Sequence, residues 1–259
     1  MAGARDPLLP DLTGEVVLVT GASGGIGAGI ASQFAWAGAH VVVHHHTGAD
    51  AARAVVDEIT EMGGSSVALQ ADLTSESACH DLVRRAFAWR GRLDNLVTSA
   101  GIQPVQDLAT MTAEDWRRVH EANLTSAFSC TQAAAEVMAA HGGSITHIAS
   151  IEGRQPAPGH AHYSAAKAAL IMFARSAAVE YGPLGIRVNT VSPGLIERPG
   201  LAEDWPDGVR RWTGAVPLGR LGRPDDIGSA CVFLASAAAA WITGNDLVVD
   251  GGMSARPTW

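Results

Sequence analysis

The sequence is poor in cysteine, and the cysteines that it has are not placed for pairing. Cys79, Cys130 and Cys231 are odd in number, lie far apart and include no Cys-x-x-Cys pair. A disulfide framework needs paired cysteines, and a structural zinc site needs thiolates or histidines at close spacing. The sequence therefore predicts neither a disulfide scaffold nor a metal site built on cysteine.

Long apolar runs and basic segments are also missing. No stretch approaches the roughly 20 uninterrupted apolar residues that a membrane helix requires. The N-terminal segment MAGARDPLLPDLTGE contains no apolar core of the kind that an export signal carries. The formal net charge of −8 argues against a nucleic-acid surface. We expect a cytoplasmic protein that acts without membrane or nucleic-acid partners.

The chain does contain enough apolar sequence for one large core. Of its 259 residues 47% are hydrophobic, and no low-complexity tract divides them. A chain of this length and composition is able to bury the interior of a sizeable domain. We predict a single domain over residues 1–259.

Strand-like segments alternate with segments of helix length along this domain. Short apolar runs occur at 15–20, 40–44, 66–71, 94–100, 144–150, 186–192 and 246–249. Helices are predicted within 21–38, 50–62, 76–89, 113–140 and 224–237 and around Tyr163. Parallel strands joined by right-handed helical crossovers form a sheet covered on both faces. The pattern predicts an α/β fold, a Rossmann-like doubly wound parallel sheet whose ligands bind beyond the carboxyl ends of its strands.

The longest interruption of this alternation runs from Leu195 to Pro224. It contains proline, glycine, charged residues and the tryptophans Trp205 and Trp212. Long excursions in compact domains often serve as lids or substrate loops. We interpret 195–224 as a substrate loop; a surface insertion that only packs against the domain is the alternative.

A glycine-rich turn follows the first predicted strand. Gly21, Gly25 and Gly27 let the backbone bend tightly and approach a pyrophosphate, while the helix that follows offers unpaired N–H groups to the anion. The spacing Gly-x-x-x-Gly-x-Gly differs from the usual dinucleotide fingerprint, so an ordinary strand-to-helix turn is the alternative.

Tyr163 and Lys167 lie four residues apart in a predicted helix, so their side chains project from one face. A phenol with its reference pKa near 10 is a poor base at neutral pH, and a nearby ammonium favours its ionised form. The spacing therefore fits proton exchange. A part-buried ring beside a solvated amine is the alternative for an isolated match.

The motifs taken together resemble the short-chain dehydrogenase/reductase family. They are Thr20-Gly21-x-x-x-Gly25-x-Gly27, Asp72-Leu73, Asn123, Ser150, Tyr163-x-x-x-Lys167 and Ser192-Pro193-Gly194. Their order, the separation of Ser150 from Tyr163 and the chain length all agree with the family, and the resemblance covers nearly the whole chain. The pattern is similar to 3-oxoacyl carrier-protein reductases and to sugar or polyol dehydrogenases.

The resemblance implies a role for each matching residue. Tyr163 exchanges a proton with the substrate oxygen while hydride passes between the substrate and a nicotinamide. Lys167 lowers the pKa of the tyrosine and binds the nicotinamide ribose, Ser150 holds the substrate oxygen, and Asn123 anchors a water. The implied cofactor residues are Gly21, Ser23, Gly25, Ile26, Gly27, His45, His46, Thr47, Asp72, Leu73, Ser99, Ala100, Gly101, Tyr163, Lys167, Pro193 and Gly194.

Two positions depart from the family pattern. Thr98-Ser99-Ala100-Gly101 stands where the family usually has Asn-Asn-Ala-Gly, so a hydroxyl takes the place of a side-chain amide that supports the central sheet. Arg198 occupies the place of a threonine that binds the nicotinamide carboxamide in many relatives.

The second predicted strand ends in His44-His45-His46-Thr47 and not in the carboxylate that NAD-preferring relatives use to hold both ribose hydroxyls. A histidine or Thr47 is able to donate to a 2′-phosphate, although Gly24 stands where NADP-preferring relatives often carry a basic residue. We therefore favour NADP(H) over NAD(H). Consecutive histidines on a strand point to opposite faces, so the run does not predict a metal site.

The leading hypothesis is an oxidoreductase that interconverts a secondary alcohol and a ketone, both small molecules. Gln155, His160, Trp205 and Trp212 are candidate substrate contacts from their positions alone. The alternatives are a 3-oxoacyl carrier-protein reductase specifically, a non-catalytic nucleotide-binding regulator and a non-redox epimerase or dehydratase. Small residues along the Tyr163 helix, together with the resemblance, imply a homotetramer or a homodimer.

Overall fold

Seven parallel strands form the centre of the protein in the computed structural model, which describes residues 10–255. The strands are β1 (Val16–Thr20), β2 (His40–His45), β3 (Ser65–Gln70), β4 (Asn95–Thr98), β5 (Gly143–Ile148), β6 (Ile186–Pro193) and β7 (Asp246–Val249). Their order in the sheet is β3-β2-β1-β4-β5-β6-β7. The chain therefore leaves β1 in one direction and returns beside it with β4, and a crevice opens at this point of reversal.

Helices cover both faces of the sheet. They are α1 (Gly25–Trp36), α2 (Ala49–Glu61), α3 (Glu76–Arg90), α4 (Ala113–His120), α5 (Ser126–Met138), α6 (Ala161–Tyr181), α7 (Leu201–Asp204), α8 (Pro206–Ala215) and α9 (Pro224–Ala235). All five residues of β1 are buried. Val17 and Val19 belong to one apolar cluster, with α1 and α9, whereas Val16 and Leu18 belong to a second, with α3 and α5. A strand enclosed on both faces reads as a continuous apolar run, which is why VVLVT was readable as a strand.

The predicted fold class is confirmed, and two predicted elements end differently. The helix predicted over 113–140 is interrupted by a π-helical turn at Glu121–Thr125 that separates α4 from α5. The strand predicted over 94–100 stops at Thr98, because the N–H groups of Ser99 and Ala100 donate to the Thr20 hydroxyl.

The extent of the domain stays a prediction. Residues 1–9 and 256–259 of the predicted range lie outside the described residues. Most of the N-terminal segment that we expected to carry no export signal lies outside them too. Within 10–255, no helix has both the length and the apolar character needed to cross a membrane.

Candidate active site

Side chains from β5, α6 and the π-helical turn meet beyond the carboxyl ends of the central strands. Ser150 follows β5, and its hydroxyl lies near enough to the Tyr163 phenol to lower the pKa of that phenol. The Lys167 Nζ donates to the Ile148 carbonyl at 2.7 Å and lies 5.5 Å from the centroid of the Tyr163 ring. The structure therefore brings Ser150, Tyr163 and Lys167 together.

A glycine allows the turn after Ser150 to pack closely on α6. A Cβ on Gly153 would lie 3.0 Å from the backbone carbonyl carbon of Lys167 and 3.1 Å from the nitrogen of Ala168. A side chain at Gly153 would therefore push the Ser150 turn away from the helix that carries Tyr163 and Lys167.

Burial and, to a smaller extent, the negative charge of Glu152 raise the pKa of the Tyr163 phenol to about 12, while the hydrogen bond with Ser150 acts in the opposite direction. Tyr163 is thus a protonated phenol at neutral pH and a proton donor in this state of the protein. The lowering of its pKa by Lys167 stays a prediction.

Lys167 is buried as deeply as an apolar core residue, with 5% of its surface exposed. Burial lowers the pKa of its amine to about 8. The amine is therefore still mostly protonated at neutral pH and donates to Ile148 as an ammonium. Its neighbour His147 is neutral, because burial and the Lys167 charge lower the pKa of that imidazole to about 3.

Asn123 lies inside the π-helical turn. Its Nδ2 donates to the carbonyls of Val119 and Ile102, both at 2.9 Å, and its Oδ1 is buried with no hydrogen-bond partner among residues 10–255. A Cβ on Gly101 would lie 2.3 Å from this Oδ1 and 3.9 Å from the Lys167 Nζ. Gly101 therefore keeps clear the space that Asn123 and Lys167 share, a polar space that fits the predicted water.

The glycine turn before α1 fits a dinucleotide pyrophosphate. Gly21 and Gly25 have φ of +67° and +53°, a left-handed conformation that favours glycine. A Cβ on Gly27 would lie 2.3 Å from the Gly21 oxygen, whereas Gly24 and Gly25 face open space. Gly24 immediately precedes α1 and provides no side chain to cap the helix. The backbone N–H groups of Ser23, Ile26 and the neighbouring glycines are therefore open to an anion.

Sequence reasoning missed His44, which holds this turn in place. Its Nδ1 accepts from the Gly21 N–H at 3.0 Å, and its Nε2 lies 3.2 Å from the Ala71 carbonyl. The two bonds require a neutral ring with its proton on Nε2, and burial lowers the pKa of His44 to about 4. Nothing in the sequence distinguished His44 from its two histidine neighbours.

The histidines that follow His44 differ in exposure. His45 is buried, whereas His46 is exposed and places its Nε2 3.9 Å from Asp72 Oδ2. Asp72 accepts from both the N–H and the hydroxyl of Thr74, and these bonds hold the pKa of its carboxyl below the usual range. The predicted cofactor residues at the β2 and β3 ends thus form one group, with Leu73 buried beneath it and Thr47 following His46 at the surface.

The other predicted cofactor residues lie at the ends of β4 and β6. Ser99, Ala100 and Gly101 follow β4, and Pro193 ends β6. The Gly194 N–H donates to the Val249 carbonyl at 3.1 Å. A Cβ on Gly194 would lie 3.0 Å from the indole of Trp212, so this tryptophan of the 195–224 excursion packs beside the site.

The remaining candidates lie around this excursion. Its two ends are joined by a bridge between Ile196 and Gly222, and α7 and α8 lie between them. Trp205 packs on Gly208 and is 47% exposed, Gln155 is exposed, and Arg198 pairs with Asp204 at 2.9 Å. Trp212, by contrast, lies close to Gly194, which is predicted to bind the cofactor.

The structure accounts for the first departure from the family pattern. The Thr98 hydroxyl lies 2.8 Å from His147 Nδ1, across the β4–β5 pair in which these two residues face each other. A hydroxyl and an imidazole thus join the two strands at a position where the family usually has an amide.

A second cluster that the sequence did not reveal lies beside Tyr163. Glu152 Oε1 accepts from Gln103 Nε2 at 2.9 Å, and Glu152 Oε2 lies 3.0 Å from His160 Nδ1. The His160 and Tyr163 rings are 6.3 Å apart, centroid to centroid. Only the short distance from Ser150 to Glu152 in the sequence hinted at this group.

Comparisons with known proteins cover nearly all of the chain. A family model described as enoyl-(acyl carrier protein) reductase matches residues 21–254. The chain is 39% identical over 244 residues to the 3-oxoacyl-[acyl-carrier-protein] reductase of a Synechocystis species, covering 93% of this chain and 98% of the relative. It is 36% identical over 251 residues to 3beta-hydroxysteroid dehydrogenase 1 of Eggerthella lenta, covering 95% and 96%.

Solved structures agree with these matches. A 7 alpha-hydroxysteroid dehydrogenase in complex with NADH and 7-oxo glycochenodeoxycholic acid is 38% identical, with a TM-score of 0.89 over 93% of this chain and 95% of that one. The residues matched by the family model include the glycine turn and the Tyr163 helix. The resemblance drawn from the motifs is thus confirmed, and the chain belongs to the short-chain dehydrogenase/reductase family of oxidoreductases.

Proposed function

We propose that this enzyme interconverts a secondary alcohol and a ketone with a nicotinamide dinucleotide, and that Tyr163 is its acid/base residue. The observation that carries the proposal is the placement of Tyr163 between the Ser150 hydroxyl and the Lys167 ammonium, beyond the carboxyl ends of the strands. These are the groups that bind a carbonyl oxygen and move a proton to it.

Each of these residues has its own role in the reduction. The Ser150 hydroxyl and the Tyr163 phenol hold the ketone oxygen by hydrogen bonds, and this fixes the carbonyl carbon in place. The bound dinucleotide supplies the hydride to that carbon in reduction and accepts it in oxidation. Tyr163 gives its proton to the oxygen as negative charge develops there, and the Lys167 ammonium stabilises the phenolate that remains. Tyr163 is then reprotonated from water at the space between Asn123 and Lys167.

The Tyr163→Phe substitution tests this proposal. We expect it to lower kcat by about 10²- to 10⁴-fold, since a positioned acid/base group contributes about that much, while dinucleotide binding persists. Tyr181→Phe is the matched control, because Tyr181 is the other tyrosine of the chain and lies at the far end of α6. A Tyr163→Phe enzyme with an unchanged rate would contradict the acid/base role of Tyr163, whereas a wild type that binds the dinucleotide but shows no turnover would favour the non-catalytic regulator.

For the cofactor we favour NADP(H). The support is the group of His46, Thr47 and Ser23, in which the Ser23 hydroxyl packs beside Gly48 and no carboxylate follows β2 directly. Asp72 stands near His46 and acts against this preference. The measurement is KM for NADPH and NADH in the wild type and in His46→Ala. A higher KM for NADPH alone in the variant supports the assignment, and a wild type that prefers NADH contradicts it.

A 3-oxoacyl carrier-protein reductase is the second candidate, favoured by the name of the Synechocystis relative. An acidic carrier protein is bound by an excess of basic side chains. Here Arg198, Arg210 and Arg220 pair with Asp204, Asp207 and Asp226 within 3.0 Å, so the 195–224 excursion presents a balanced surface. We therefore prefer a small ketone or alcohol, with Gln155, His160, Trp205 and Trp212 as candidate contacts.

We also propose a cytoplasmic homotetramer, or a homodimer. The support for assembly is the exposed apolar surface of α5 and α6, which includes Phe128, Met172 and Val179. The support for a reducing compartment is that Cys79, Cys130 and Cys231 are free and buried.

A further inference from the structure

The carboxylate of Glu152 lies at the edge of the Tyr163 site, in a group of side chains that come from three separate segments. Gln103 comes from the segment after β4, Glu152 from the turn after β5, and His160 and Ser164 from the start of α6. Besides its bonds to Gln103 and His160, Glu152 lies 3.4 Å from the Ser164 hydroxyl. We call these four residues the Glu152 cluster.

The cluster is joined to the catalytic residues. The Glu152 N–H donates to the Ser150 hydroxyl at 3.1 Å, and the His160 ring meets the Tyr163 ring edge to face. The side chains of Glu152 and His160 are each 17% exposed, so they are largely shielded but still reachable. Any substrate whose carbonyl oxygen reaches Ser150 and Tyr163 therefore places its neighbouring atoms beside this cluster.

A structural role explains only part of this arrangement. A carboxylate near the N-terminus of α6 is favourable, because it complements the helix dipole. Next to Tyr163, however, burial and then the Glu152 charge raise the phenol pKa, and this makes the phenolate harder to form. A serine or an amide side chain would hydrogen-bond the N-terminus of α6 without raising the pKa of the acid/base residue. A locally unfavourable charge beside a reacting group marks a functional position.

The cluster offers acceptors to a ligand. A carboxylate only accepts hydrogen bonds, so the His160 Nδ1, 3.0 Å from Glu152 Oε2, carries the proton that the two groups share. The Glu152 oxygens and the side-chain oxygen of Gln103 are acceptors. Such a surface binds hydroxyl groups and repels carboxylates and phosphates.

We propose that the Glu152 cluster is a specificity site that selects ketones carrying a hydroxyl group close to the reacting carbon, as in α-hydroxyketones and the diols formed from them. The inference rests on the proposed alcohol–ketone activity and assigns its substrate class. The hydroxyl donates to the cluster while the ketone oxygen lies on Ser150 and Tyr163. A simple ketone lacks the hydroxyl that donates to the cluster. A ketone that carries a carboxylate in place of this hydroxyl is repelled by the negative charge of Glu152.

The experiment compares a cyclic α-hydroxyketone with the same ring lacking the hydroxyl and with the ring carrying a carboxylate in its place. For the wild type we expect kcat/KM to be about tenfold or more higher for the hydroxyketone, since a hydrogen bond to a charged cluster is worth at least that factor. Glu152→Gln removes the charge at nearly constant shape and is expected to bring this ratio close to one, mainly by raising KM for the hydroxyketone. It is also expected to raise kcat/KM for the carboxylated ring.

Two further variants keep the test decisive. His160→Phe preserves a ring beside Tyr163 and is expected to lower the same ratio, which covers the case in which Glu152→Gln folds poorly. Glu58→Gln on α2 removes an equal charge at an exposed position and is expected to leave every ratio unchanged. Using a ratio also cancels any common change in rate that follows from an altered Tyr163 pKa.

The outcomes separate this inference from the proposed function. If the wild type reduces all three ketones without preferring the hydroxyketone, or if Glu152→Gln slows them equally, the cluster is structural and the specificity inference is wrong. If no ketone is reduced although the dinucleotide binds, the proposed function itself fails. A preference lost in both cluster variants and kept in Glu58→Gln establishes the site.

Discussion

At the scale of single residues, His44 ties together two loops at the carboxyl edge of the sheet. It accepts from Gly21 in the glycine turn before α1 and donates to Ala71, next to Asp72. Both bonds are made by the neutral ring, and burial keeps it neutral by lowering its pKa from 6.5 to about 4. The order of these two loops therefore depends on the protonation state of one buried histidine.

We predict that this histidine makes stability depend on pH. Because its pKa is lower in the folded state than in the unfolded state, its contribution is complete above pH 6.5 and is lost as the pH falls toward 4. The full loss is about 3 kcal/mol at most. His44→Asn keeps an acceptor and a donor without a titrating proton, so its unfolding free energy, measured in urea, is expected to fall less than that of the wild type between about pH 7 and pH 4.5.

His141→Asn at an exposed position serves as the control and is expected to leave the pH slope as it is. A His44→Asn protein with the wild-type slope would show that His44 is not the titrating group. We also expect His44→Ala, which removes the acceptor of the Gly21 N–H, to weaken dinucleotide binding.

The Tyr163 phenol offers a second prediction at this scale. The chain contains two tyrosines, so Tyr181→Phe leaves Tyr163 as the sole phenol. In this background we expect its pKa, followed by phenolate absorbance, to be about 12. Adding Glu152→Gln removes a negative charge that disfavours the phenolate and is expected to lower that pKa, although burial keeps it above the reference value near 10. An unchanged pKa in the double variant would contradict a direct effect of the Glu152 charge on Tyr163.

At the scale of elements, the π-helical turn between α4 and α5 is what places Asn123. A π turn shifts the hydrogen-bond register by one residue, so the helix leaves a carbonyl to be satisfied by another donor. The Asn123 amide supplies that donor to Val119 and also reaches Ile102, the residue after Gly101. The turn and its asparagine thus depend on each other.

We predict that Asn123→Ala lowers the unfolding free energy by about 1–3 kcal/mol, because two carbonyls at the turn lose their donor. Asn123→Asp is expected to cost more, since a carboxylate cannot donate and would face the same carbonyl oxygens. Urea unfolding of the two variants beside the wild type is the measurement. An Asn123→Ala protein as stable as the wild type would mean that the amide does not support the turn.

The elements show what the sequence was able to predict. The strands and most helices were readable because β-branched runs and helix-length segments carry local signals. The π turn was not, since a one-residue change of helical register leaves the apolar pattern of 113–140 nearly intact. The Thr98–His147 bond was not readable either, because it depends on the pairing of β4 with β5, a contact between residues 49 apart in the chain.

The residues of the candidate site also differ in whether they depend on local spacing or on long-range contacts. Ser150, Tyr163 and Lys167 were predictable because their spacing is local and shared with a family. His44 and Glu152 were not, since their partners lie on other strands and loops and become neighbours only in the folded sheet. Long-range partners of this kind require the structure.

At the scale of the whole molecule, α6 carries an exposed apolar stripe on the side away from the sheet. Met172 is 57% exposed and Val179 is 78% exposed, and they lie two helical turns apart on one face. On α5, Phe128 is 42% exposed and stands edge-on to Phe173 of α6, with 5.9 Å between the ring centroids. Apolar residues spread over two neighbouring helices form a surface that a second copy of the chain is able to cover.

We predict that this surface holds the proposed assembly together. Met172→Glu combined with Val179→Glu places charges at the centre of the stripe and is expected to reduce the mass measured by light scattering to that of a smaller species. Val105→Glu is the matched control, because Val105 is 79% exposed outside the two helices and is expected to leave the mass unchanged. A wild type that is already a monomer would refute the assembly. A double variant that keeps the wild-type mass would instead place the contact elsewhere on the molecule, and Tyr163 would then not lie on an interface helix.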